Sequence, residues 1–187
     1  MRYWTVSIWM WWKMKNKVKL KRILSDPKLF IENIIKIVDK KQQTVPFKLN
    51  EMQGEFLDFI RDNKYIVLLK SRQVGGSVLC MAYAIWLSIT RPNSTCLLMS
   101  YSKDSAGGIF AKLKQMYFSI PSVLRPKLTN NSKEELRLEN GSRIITATCG
   151  TKDVARGLTL NFAHLSEVGL MESDKLKRQL VAIEQAL

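Results

Sequence analysis

The chain has 187 residues, 46% apolar and 25% charged, proportions ordinary for a soluble globular protein. That length accommodates one α/β domain with a real core and little else. Thirty Lys and Arg against sixteen Asp and Glu leave a formal charge of +14, which predicts attraction to a polyanion, nucleic acid first.

The charge is unevenly spread. Residues 1–41 hold eleven Lys/Arg against three acids, a net of +8, leaving +6 for the remaining 146 residues. An N-terminal arm therefore carries more than half the excess, as a DNA-contacting segment or a solubilising tail. Cys80, Cys96 and Cys149 have no metal-ligand spacing, and an odd number excludes complete internal pairing. With His164 as the one histidine, they read as reduced core residues of a cytosolic protein. The opening stretch carries Trp4, Trp9, Trp11 and Trp12 before a basic run begins at Lys13. Its apolar part falls short of the roughly 20 residues a membrane span needs, and no small-residue cleavage site follows. An interfacial anchor is the alternative use for it.

In chain order, Asp26-Pro27 opens a helix running to about Lys41, with Phe30, Ile34, Ile37 and Val38 on one side. Residues 42–46 are a short connection. Asn50 is placed to cap a helix carrying Met52, Phe56, Leu57 and Ile60. Tyr65–Leu69 is continuously apolar, which predicts a strand buried on both faces. Ser77–Ile89 reads as an apolar helix closed by Arg91-Pro92, Thr95–Met99 as a second buried strand, and Lys103–Tyr117 as a second helix. Alternating residues on either side of Asn140-Gly141 predict a hairpin over Glu135–Thr148. Phe162–Leu165 is a further short strand and Lys175–Leu187 a helix. Strands alternating with helices imply right-handed crossovers and a parallel sheet with helices on both faces.

Two segments carry the chemistry. Residues 66–77 read Ile-Val-Leu-Leu-Lys-Ser-Arg-Gln-Val-Gly-Gly-Ser, the outline of a phosphate-binding loop between a strand and a helix. The usual pattern is Gly-x-x-x-x-Gly-Lys-Ser/Thr, whose backbone N–H groups cradle phosphates while Lys neutralises them and the hydroxyl holds Mg²⁺. Gly75 and Ser77 stand where that pattern wants them, Gly76 occupies the lysine position, and the cation has moved to Lys70 at the other end. A long lysine at either end of such a loop reaches the same phosphates. The plain alternative is a strand–turn–helix with Gly75-Gly76 as the turn.

The second segment is Phe162-Ala-His-Leu-Ser-Glu-Val168, where a short strand gives way to a loop. Glu167 is placed to activate water, and Ser166 takes the position usually held by a Mg²⁺-binding Asp, leaving a hydroxyl or water-mediated contact. Lys152 and Arg156 lie on the polar connection entering that strand. They are surface charges or γ-phosphate contacts, made within the subunit or across to a neighbour.

Taken together these segments resemble the large terminase subunits of tailed bacteriophages. Val45–Gln53 resembles the family's adenine-sensing Gln segment, and Lys70–Ser77 its displaced-lysine phosphate loop. Ala155-Arg-Gly-Leu-Thr159 followed by His164–Val168 resembles its arginine segment and the Ser-Glu form of its acidic motif. The resemblance implies a P-loop NTPase-like α/β fold of the additional-strand, catalytic-glutamate class, its mostly parallel sheet flanked by helices and incomplete at the C-terminus. Residues 1–44 would be a basic, Trp-rich arm with a helix, and 45–187 a partial ATPase domain without the nuclease domain. Gln53 would read adenine. Lys70, Ser71, Arg72, Gln73, Val74, Gly75, Gly76 and Ser77 would bind the nucleotide. Ser77 and Ser166 would hold Mg²⁺, the latter through water, Glu167 would orient the attacking water, and Arg156 would act as a finger across a ring of subunits. The implied cofactors are ATP and Mg²⁺. The implied partners are double-stranded DNA, further copies of the chain in a homo-oligomeric ring on a portal or procapsid, and a small terminase subunit, in the host cytoplasm and with no membrane. A helicase-like translocase and a nucleotide- or DNA-binding module without turnover are the competing readings.

Overall fold

A computed structural model describes residues 17–69, 71, 74–150 and 154–187. The Trp-rich start, Lys70, Arg72, Gln73 and Lys152 lie outside them.

Helix α1 covers residues 17–25, and α2 (Pro27–Ile34) follows at once. Asp26 separates the two by accepting a hydrogen bond from the Leu29 N–H at 3.0 Å, with Pro27 preset for the first helical position. The single helix expected from Pro27 to about Lys41 ends at Ile34 instead. Ile35, Ile37 and Val38 are β-branched, and strand β1 (Lys36–Val38) pairs antiparallel with β2 (Thr44–Pro46). Asp39 Oδ1 closes this ribbon by accepting from the N–H groups of Lys41 and Gln43 at 2.8 and 2.9 Å. The expected arm is therefore part of the folded body from residue 27 on. Phe30 and Ile31 are fully buried in one cluster with Phe47, Leu79 and Ile85.

Helix α3 (Glu51–Asp62) starts at Asn50 as its cap predicts. The next expectation fails: Tyr65–Leu69 forms no strand, and Val67 and Leu69 are each 99% exposed. Apolar β-branched residues favour a strand only where neighbouring backbone accepts their hydrogen bonds, and no described strand lies against this run. Helix α4 (Gly76–Thr90) is apolar on nearly every side and mostly buried. Its Trp86 donates Nε1–H to the Leu24 carbonyl at 2.9 Å, tying α1 to it.

The main sheet has five strands: β3 (Thr95–Ser100), β4 (Leu128–Asn131), β5 (Glu135–Leu138), β6 (Arg143–Thr148) and β7 (Phe162–Leu165), in the spatial order β4-β5-β6-β3-β7. The three-strand block β6-β3-β7 is parallel, and β4 and β5 extend it antiparallel. The hairpin turns at Asn140-Gly141, as the sequence predicts, with Gly141 at φ +82°. Strand β4, which the sequence reading missed, lies at the outer edge. Every residue of β3 is buried. Its side chains alternate, Cys96 and Leu98 entering the cluster beneath α4 and α5 (Lys103–Ser119), and Leu97 and Met99 the cluster beneath α6 (Ser173–Ala186). Helices thus cover both faces of a largely parallel sheet, the α/β architecture expected.

Phe30 fills the first cluster from outside the sheet, so Phe30→Ala should cost about 3–5 kcal/mol of stability in a denaturant titration. A loss under about 1 kcal/mol would show that residues 27–34 are an appendage and not core.

Candidate functional site

The parallel strands β6, β3 and β7 end on one side of the sheet, where ligand sites of such sheets collect. Ser166 follows β7 directly. Its N–H donates to the Met99 carbonyl of β3 at 2.8 Å, extending the ladder one step and fixing the residue, which is 8% exposed. Across from it stands the start of α4. Gly75, in the left-handed region at φ +80°, turns the chain into that helix, and no side chain caps it. The first-turn N–H groups have no side-chain acceptor among the described residues, and the helix start carries the positive end of the dipole, which favours an anion.

The two sequence segments meet here. The hydroxyls of Ser77 and Ser166, 89 positions apart, lie 3.0 Å from each other. Of the expected loop residues, Val74, Gly75, Gly76 and Ser77 lie at this junction, Gly76 buried, and Ser71 is exposed just upstream. Lys70, Arg72 and Gln73 fall outside the described residues.

Glu167 is exposed and sits in the left-handed region at φ +57°, one of three non-glycine residues with positive φ among those described. Its carbonyl accepts from the Leu170 N–H at 2.9 Å as a short 3-10 turn (Val168–Leu170) begins. A glutamate pays of order 1–3 kcal/mol for this conformation, a cost that tends to persist where a side chain must be aimed.

Gln53 is 7% exposed and tied down at both ends of its amide. Its Oε1 accepts from the Asn50 N–H at 3.1 Å while its own N–H donates to Asn50 Oδ1 at 2.8 Å, a reciprocal capping box. Its Nε2 donates to the Gly75 carbonyl at 3.2 Å and to the Val74 carbonyl at 3.5 Å. This link from α3 to the loop was missed from sequence, although Gln three residues after Asn50 is the signature of a capping box.

Arg156 lies on a turn that ends at Gly157 (φ +75°) and lines an open cleft of about 460 Å³ with Lys177, Arg178, Val181 and Gln185 of α6. None of the described loop residues lines that cleft, in which Arg156 stands with α6. No cluster of three or more His, Cys, Asp or Glu suited to a metal occurs among the described residues. None of the three cysteines is in a disulfide, and burial pushes the Cys96 thiol up to about 12, which keeps it protonated. No described helix is long and apolar enough to cross a membrane.

No family model and no curated protein matches the chain. Solved structures do. A mutant of the large terminase ATPase domain of Thermus phage P74-26 superposes with a TM-score of 0.61 at 20% identity, over 75% of this chain and 62% of that one. The same domain without the mutation gives a TM-score of 0.55 at 19% identity, over 74% of this chain and 61% of that one. The large terminase of bacteriophage HK97 gives 0.68 at 20% identity, over 87% of this chain and 35% of that one. The chain thus has the fold of the ATPase domain of phage large terminases, which is the P-loop NTPase-like fold its motifs imply, and it spans less than two thirds of each of these structures.

Because Glu167 occupies a backbone conformation that suits glycine, Glu167→Gly should raise stability by about 1 kcal/mol in thermal melts of the ligand-free protein. An unchanged or lowered melting temperature would mean that the Glu167 side chain contributes more in place than its conformation costs.

Proposed function

We propose that this chain is the N-terminal ATPase part of a large terminase subunit, a motor that hydrolyses ATP to drive double-stranded DNA into a procapsid. The observation that carries the reading is the 3.0 Å contact between Ser77 at the head of α4 and Ser166 at the carboxyl end of β7. A glycine-bounded loop opening a buried helix, facing a Ser-Glu pair at the end of a parallel strand, suits phosphoryl transfer to water, in which the protein supplies position and charge.

The residues fit Mg²⁺ and a nucleotide in a particular way. The uncapped start of α4 would receive the phosphates, and Lys70 would neutralise them. Mg²⁺, when bound, would screen the phosphate oxygens during transfer, held by the Ser77 hydroxyl with Ser166 at one remove. Ser166 brings no charge, so this chain's hold on the metal is weaker than an aspartate would make it. Glu167 would orient the attacking water and take up its proton. Arg156, which lines the open cleft beside α6, would act as a finger offered to the next subunit of a ring on a portal. The net charge of +8 over residues 1–41 suits contact with the DNA backbone. The small terminase subunit and the host cytoplasm complete this reading.

The test is Mg²⁺-dependent ATP turnover by the full-length protein. Lys70→Ala should abolish nucleotide binding or turnover, and wild-type affinity in that variant would remove the displaced lysine from the mechanism. Glu167→Gln should retain ATP binding yet cut hydrolysis about 10²–10⁴-fold, the range for a positioned base. Equal turnover with Gln at this position would reduce Ser166-Glu167 to the end of a strand. Replacing Lys13, Lys15, Lys17, Lys19 and Lys21 by Gln, which leaves the packed residues from Phe30 on in place, should flatten the salt dependence of duplex binding, since each neutralised phosphate contributes a log–log slope of about −0.9. An unchanged slope would leave the segment as a solubility device.

A further inference from the structure

We infer that Gln53 is a positioning residue that staples the phosphate loop to helix α3, and that it does not read the nucleotide base. The inference rests on the nucleotide-binding reading of the loop, but its core concerns the protein without ligand. A glutamine recognises the edge of adenine by donating from Nε2 to N7 and accepting at Oε1 from the N6 amine. Here Nε2 donates to the Gly75 carbonyl of the loop at 3.2 Å, with the Val74 carbonyl a longer contact at 3.5 Å. Oε1 is engaged by the Asn50 N–H at 3.1 Å, and the side chain is 7% exposed. Reading a base would require giving up the loop and half of the cap together.

The chemistry also explains why this residue is glutamine. A capping box accepts Glu or Gln at this position, since only an acceptor is needed for the cap N–H. The loop carbonyls require a donor as well, and only the amide supplies both. The opposing side is shaped to match: a Cβ on Gly75 would be driven into the Gln53 amide nitrogen. Gly75 is thus glycine both for its φ of +80° and for the close approach of Gln53. Through Gly75, whose carbonyl also accepts from the Leu79 N–H at 3.0 Å, the staple holds the turn that sets the direction of α4 and of the Ser77 hydroxyl.

Two measurements test the staple. Gln53→Glu keeps the cap and removes the donors. In hydrogen–deuterium exchange of the ligand-free protein, the peptide covering residues 71–79 should exchange roughly tenfold faster, the effect of about one net hydrogen bond. A β3 peptide should be unchanged and serves as the control for folding. Wild-type exchange at 71–79 would overturn the inference. Separately, Gln53→Ala should weaken ATP, GTP and inorganic tripolyphosphate by the same factor, again roughly tenfold, because all three need the loop and only one has an adenine. A loss confined to ATP would make Gln53 a base reader and overturn the staple, as would no loss at all. If the wild-type protein binds none of the three, the nucleotide reading fails, while the exchange experiment still decides the staple.

Discussion

The burial of β3 on both faces is the constraint from which the rest of the structure follows. All six of its residues are buried, with Cys96 and Leu98 in a cluster under α4 and α5 and Leu97 and Met99 in another under α6. A strand in that position has its ladder satisfied on both edges, here by β6 and β7, and both pairings are parallel. Three strands then end on the same side. Beyond their carboxyl ends the chain leaves the sheet, and the backbone groups there need new partners, as Ser166 N–H finds in the Met99 carbonyl. The junction of Ser166 with the head of α4 occupies that opening.

What stands in the opening is polar and under tension, in contrast to the layers below. Two left-handed residues, Gly75 and Glu167, flank a pair of hydroxyls. A domain of this size has of order 5–15 kcal/mol of net stability, so a glutamate in a conformation costing 1–3 kcal/mol is a sizeable expense. The site depends on it only if the carboxylate is aimed. The absence of charge on Ser77 and Ser166 gives the carboxylate a further role, since neither hydroxyl can balance a cation or take up a proton as Glu167 can. The uncapped helix and the Gln53 staple address the opposite need. The Gln53 amide engages the Val74 and Gly75 carbonyls, and the helix start beside them carries the positive end of the dipole, which suits an anion.

Much of this was legible in the order of residues. Asn50 and Gln53 mark the start of α3, Asn140-Gly141 the hairpin, and Phe162–Leu165 the last strand, because each depends on local chemistry: a cap, a positive-φ turn, a short apolar run. The loop and the Ser-Glu pair were recognisable as candidates for one site, since their residue types have few other uses together. Two elements were misread, both for want of a partner that sequence does not name. Ile37 and Val38 continue a helical spacing from Phe30, yet Thr44–Pro46 offers them a ladder and they form a strand. Tyr65–Leu69 has the composition of a buried strand, yet no described strand pairs with it and its side chains stand in water.

By itself, then, the sequence determined the alternation of strand and helix, the glycine turn into α4, and the kinds of side chain at the site. These rest on caps, turns and periodicity, which act within a few residues. Only the tertiary structure decided that Ser77 and Ser166 touch, that Gln53 spends its amide on the loop, that Glu167 is held in the left-handed region, and that Arg156 is grouped with α6. Those outcomes depend on contacts between segments 20 to 90 positions apart, and the register that brings them together is set by the packing of a whole sheet against its helices.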